Sequence, residues 1–80
     1  MTLTKAIQKR IKELCKERKI TINKLSTISG MTQSTINNIF MRPNGKPTVS
    51  TIKKMCDGLD ITLTEFFDTK LFNELEQEIQ

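Results

Sequence analysis

Residues 21–42, TINKLSTISGMTQSTINNIFMR, constrain what this chain can fold into more than any other stretch. One apolar-periodic run, holding Leu25 and Ile28, stops at Gly30. A second begins at Thr32 and carries Ile36, Ile39 and Phe40. Each run suits a helix of about two turns. Two helices this short, parted by one glycine, cannot lie side by side like a long hairpin. They fit a crossed pair in which the first braces the second. Thr21 and Thr32 are good N-caps for the two helices, read as 22–29 and 33–41. Gly30 supplies the left-handed conformation that ends a helix without a Cβ clash, and Met31 is expected to tuck under the turn. Gly30, Ile36, Ile39 and Phe40 are scaffold, so replacing them should unfold the domain. Gln33, Ser34, Thr35, Asn37 and Asn38 form a polar face with nothing inside the protein to bind.

The rest of the sequence reads as helix too. Over 4–19, Ile7, Ile11, Leu14 and Cys15 fall on one stripe, ringed by Lys5, Lys9, Arg10, Lys12, Lys16, Arg18 and Lys19. Residues 42–47, RPNGKP, form a loop, because Pro43 and Pro47 block helix and Asn44-Gly45 signals a turn. Thr48 caps a fourth helix with Val49, Ile52, Met55, Cys56 and Leu59 on its apolar side. Thr62-Leu63-Thr64-Glu65 is a capping box opening a fifth, with Leu63, Phe66 and Phe67 inward. At the end, Leu71, Leu75 and Ile79 recur at i, i+4 and i+8, with Phe72 widening the stripe. That spacing predicts an amphipathic helix over 70–80, folded onto its own domain or paired with another chain. No stretch alternates as a strand does. The expectation is an all-α protein with one small domain, 1–69, and a helical tail, 70–80.

Charge is unevenly placed. Residues 1–54 carry a net +10 and residues 55–80 a net −6, within a total of +4. A basic side for a polyanion and an acidic side turned away from it would produce this split. Helix starts at Thr21 and Thr32 present free N–H groups and positive dipole ends, natural points for phosphate. Arg42 and Lys46 flank the loop and are candidates for phosphate or an adjacent minor groove.

Other classes are disfavoured. No apolar run reaches about 18 residues, so no membrane span is expected. The basic first helix has a narrow apolar face without Trp or Phe to anchor it on a bilayer. The N-terminus lacks a signal-peptide pattern, so a cytoplasmic location is expected. Cys15 and Cys56 stand 41 residues apart, with no CxxC and no His, so no metal site is expected. Both lie on apolar stripes and read as buried free thiols. The phenylalanines fall on or beside core stripes, which argues for packing over base stacking. Without a His, a Gly-rich phosphate loop or a base near any nucleophile, the chain reads as non-enzymatic and free of cofactors.

Leu25, Ser26, Gly30, Met31, Ile36 and Ile39, then Pro47-Thr48, Ile52, Leu59, Ile61, Leu63 and Phe66-Phe67, together carry a resemblance. The chain resembles the Cro/phage-repressor type (Xre-like) of helix-turn-helix regulators over about residues 5–68. That resemblance implies a compact five-helix, lambda-repressor-like domain that binds double-stranded DNA, as a repressor and as a homodimer on a two-fold operator. The family's base-reading positions fall on Gln33, Ser34 and Asn38. Asn37, on the same face, is a fourth candidate for a base contact, with the weakest claim, since only the first turn and the next one down reach base edges. Phosphate contacts fall at Thr21, Ile22 and Asn23, and at Thr32 and Thr35. Many members pair an arginine in the first helix with a glutamate ending the third. Cys15 and Phe40 stand in those places here, and Asp60 replaces a common glycine after the fourth helix. The rival reading is a protein-interaction module, such as a helix-turn-helix antitoxin, working through the acidic half and the tail.

Overall fold

The computed structural model describes residues 1–41 and 47–79. Five α-helices follow in order: α1 Leu3–Arg18, α2 Ile22–Ile28, α3 Gln33–Met41, α4 Val49–Leu59 and α5 Leu63–Phe67, then a 3-10 turn Lys70–Phe72. No strand occurs among the described residues. Threonine opens α1, α2, α4 and α5: Thr2, Thr21, Thr48 and Thr62 each accept a hydrogen bond from the N–H three residues on. At α5 Glu65 also reaches back to the N–H of Thr62, so the capping box is complete.

Three of the helices end alike. Lys19, Gly30 and Asp60 have φ of 56°, 67° and 57°, in the left-handed region. The next N–H then bonds back five residues: Ile20 to Cys15, Met31 to Ser26 and Ile61 to Cys56, at 2.9–3.0 Å. A Cβ at Gly30 would meet nothing within 4 Å, so glycine is favoured there by φ and not by space. Met31 packs against the core beneath this turn.

The core gathers Ile7, Ile11, Leu14 and Cys15 of α1 with Leu25, Ile36, Ile39, Ile52, Met55, Cys56, Leu59 and Phe66. Cys15 and Phe40, the apolar replacements for the ion pair, both belong to this packing. Neither cysteine is bonded, and burial pushes both thiols up from their ordinary pKa, which disfavours the reactive thiolate. Phe67, expected inward, is 36% exposed and meets Phe66 and Phe72 edge-on at 4.9 Å. Neighbours lie about 100° apart around a helix, and Phe66 takes the buried side of this short one, leaving Phe67 at its edge.

The tail departs from its predicted helix. Helical geometry stops at Phe72, and residues 73–79 run irregularly, with Glu76 N–H bonded to Met1 O at 3.0 Å. Leu71 and Leu75 are half-buried while Ile79 is 82% exposed. Eleven residues are too few for a self-sustaining helix, and Glu74 and Glu78 at i, i+4 repel. Phe72 packs against the core at the end of the 3-10 turn.

Gly58 is the residue on which the seat of α2 depends. A Cβ there would stand 2.7 Å from Ser29 Oγ and 3.0 Å from Ile28 O, so the α4 backbone lies directly against the end of α2. Ser29 Oγ is buried with no hydrogen-bond partner among the described residues. Gly58→Ala is expected to destabilise by about 1–2 kcal/mol, despite alanine's better helix propensity. Ser29→Ala should be neutral or stabilising, since it removes an unsatisfied hydroxyl. Urea unfolding of both single variants and the double variant tests this, with the double expected to recover part of the loss.

Candidate nucleic-acid interface

The exposed face of α3 is set by its period. Ile36 and Ile39 are 0% and 4% exposed, which fixes the helix's rotation about its axis. Gln33, Ser34, Asn37 and Asn38 are then exposed together on the other side, and Thr35 is half-buried at the edge. Met41, 78% exposed, ends the helix. The sequence-derived polar face is thus one contiguous solvent-facing strip.

Two α1 side chains hold the far end of α3. Gln8 Nε2 donates to Ile39 O at 2.6 Å, satisfying one of the carbonyls that a helix end leaves open. Lys12 Nζ stands 5.5 Å from the centre of the Phe40 ring, a cation–π distance. Nothing in local sequence flags either contact, because the partners lie 31 and 28 residues apart.

At the near end Thr32 Oγ1 accepts from Thr35 N–H at 3.2 Å and shares a hydrogen with Thr35 Oγ1 at 2.9 Å. Thr21 Oγ1 accepts from Lys24 N–H at 3.0 Å. Both cap oxygens therefore accept from their own helices, which leaves the Thr21 O–H able to donate to an anion. Beside it the helix starts offer main-chain N–H groups, at Ile22 and Asn23 for α2 and at Gln33 and Ser34 for α3. The Ile22 side chain packs against the core, so only its N–H is available, whereas Asn23 is exposed. Arg42 and Lys46 lie outside the described residues.

The polar strip carries one internal bond that the sequence reading did not include: Gln33 Nε2 donates to Asn37 Oδ1 at 3.1 Å. Among the described residues no cluster of His, Cys, Asp and Glu could hold a metal ion, and no helix is long and apolar enough to cross a membrane. The shallow hollow lined by Leu63, Thr64, Phe67 and Asp68 belongs to α5, not to the α2–α3 unit.

A small helical domain that braces one helix and displays its polar face is the architecture of a helix-turn-helix module. The sequence model of the helix-turn-helix family matches residues 11–66, and the chain belongs to that family, in its Cro/phage-repressor type. It is 39% identical over 51 residues to the HTH-type transcriptional repressor RghR of Bacillus subtilis (strain 168). That match takes in 64% of this chain and 38% of RghR, so the chain corresponds to well under half of that relative's length. Among solved structures it is similar to the prophage Lp1 protein 11, with a TM-score of 0.83 and 35% identity. There the likeness covers 94% of this chain and 99% of the other.

Proposed function

We propose that this protein is a sequence-specific DNA-binding transcriptional repressor that places α3 in the major groove. The observation that carries the reading is the exposed strip of Gln33, Ser34, Asn37 and Asn38 on a helix whose opposite side is locked into the core. Membership of the helix-turn-helix family and the likeness to a transcriptional repressor support it.

Two separable terms make up the mechanism. Cations of the basic half displace counterions from phosphates, giving salt-sensitive affinity without sequence preference. The N–H groups opening α2 and α3, near Thr21, Ile22, Asn23, Thr32 and Thr35, position the domain on the backbone, joined by Arg42 and Lys46. Gln33, Ser34 and Asn38 then meet base edges. Amides match the paired donor and acceptor of adenine, and α3 has no Arg or Lys before Arg42 to read guanine. The half-sites are accordingly rich in A·T pairs. The protein acts in the cytoplasm as a homodimer, without catalysis or cofactor, and residues 1–69 carry the DNA contacts.

High-throughput site selection tests the reading, because it returns half-site and spacing together. A·T-rich half-sites repeated about 10 base pairs apart are expected. G-runs at the contacted core, or no enriched site at all, would overturn it. On the selected site Gln33→Ala should cost about 1–3 kcal/mol and relax one base position, whereas Lys→Ala on the basic side weakens all sequences alike.

A further inference from the structure

Asn37 stands on the polar strip, yet the only bond its side chain makes among the described residues is inside the strip, from Gln33 Nε2 to its Oδ1 at 3.1 Å. The two residues are four apart on one helix, the spacing at which side chains meet. We infer that Asn37 is a positioning residue for Gln33: it holds the Gln33 amide in one place over the first turn of α3, and so sharpens base choice at that position. The inference rests on the reading of α3 as the DNA-reading helix.

The chemistry follows from the amide's near-symmetry. A glutamine amide is a flat group with an oxygen at one corner and an NH2 at the other, and rotation about its last side-chain bond exchanges them at little cost. Adenine offers an N7 acceptor beside an N6–H donor, so it is matched by one orientation of the amide and opposed by the reverse. Guanine offers two acceptors, N7 and O6, and a reversed amide can donate to O6. The Asn37 amide shares that near-symmetry and can turn over with it, so the bond fixes not the polarity of the Gln33 amide but its place over the first turn of α3. A two-bond match to adenine needs the oxygen and an N–H in place together, whereas a single bond to guanine O6 does not. Losing the brace therefore costs adenine more than guanine.

Among the described residues neither the Ser34 nor the Asn38 side chain has such a brace, and both are exposed. The position read by Gln33 should thus be the most strictly specified of the half-site. A mere contribution of the pair to helix stability would shift all sequences equally and leave base preference unchanged.

The experiment measures affinity for the selected half-site with each of the four bases at the Gln33 position, using the wild-type chain, Asn37→Ala, Asn37→Asp, Gln33→Ala and the Gln33→Ala/Asn37→Ala double variant. Asn37→Ala is expected to lower the preference for adenine over guanine there by about threefold to tenfold, a part of what a bidentate contact commands. Other positions and the salt dependence should not change. Asn37→Asp retains the acceptor, so it should weaken every sequence through its charge while keeping the preference. Adding Asn37→Ala to Gln33→Ala should change nothing further at that base. The inference is overturned if Asn37→Ala leaves the preference intact, or alters a different base pair and still does so in the Gln33→Ala background. A wild-type chain without any base preference would instead remove the DNA-reading role itself.

Discussion

Phe66→Ala is expected to cost about 3–5 kcal/mol, the range for truncating a buried aromatic. That is a large share of the roughly 5–15 kcal/mol that holds a small domain folded. Phe66 is 0% exposed and heads the largest fully buried side chains. Its ring also joins α5 to the tail, meeting Phe67 at 4.9 Å and Phe72 at 6.2 Å. Removing it opens a cavity where the buried side chain of α5 meets the core. Denaturant unfolding followed by circular dichroism reads the loss, and Phe67→Ala is the internal comparison. Phe67 is 36% exposed, so its truncation should cost only about 1 kcal/mol beyond the packing it shares with its neighbours. Equal losses from the two variants would contradict this account of α5.

Helices α2 to α5 were legible because each announced itself twice, by a period and by a cap, whereas α1 showed its period alone. Thr21, Thr48 and Thr62 are N-caps in the structure as their positions before apolar runs implied. The left-handed turn at Gly30 was legible for the same reason, glycine being the residue that favours it. The tail was misread because Leu71, Leu75 and Ile79 give a period without a cap or a length that could enforce it. Its actual path is set by Phe72 and by a main-chain bond to Met1, and neither leaves a local signature. The polar strip of α3 was legible in composition, since burying Ile36 and Ile39 leaves only those positions outside. The supports of the strip were not. Gln8 and Lys12 reach α3 from another helix, and side-chain reach across a fold has no periodicity. A glycine inside the apolar-periodic α4 was the one available hint of the close approach at Gly58.

Arg10 shows why the basic first helix cannot be read as a uniform surface. Its Nε donates to Phe66 O at 2.7 Å and its Nη2 to Glu65 O at 2.8 Å, across 55 or more residues of sequence. Those carbonyls belong to the last turn of α5, where the helix gives Glu65 O only a long 3.4 Å bond from Asp68 N–H and the dipole favours a cation. Glu13 stands 3.8 Å from the same guanidinium, whose side chain is only 13% exposed. Arg10→Ala is expected to cost about 2–3 kcal/mol, the scale of hydrogen bonds from a charged group, with Phe66 O left unpaired. Arg10→Lys should restore little of that, because one ammonium on a flexible stem cannot span two carbonyls as a planar fork does. Thermal unfolding should register the alanine variant as a fall of about 10 °C or more. The consequence for function is specific. If Arg10 is committed to α5, its loss should leave the salt dependence of DNA binding unchanged, measured well below the unfolding temperature. Lys9 and Lys16, exposed and without an ion-pair partner among the described residues, are the contrasting cations on the same helix. A drop in salt slope for Arg10→Ala, by about 0.9 for one lost phosphate contact, would place Arg10 on the DNA instead.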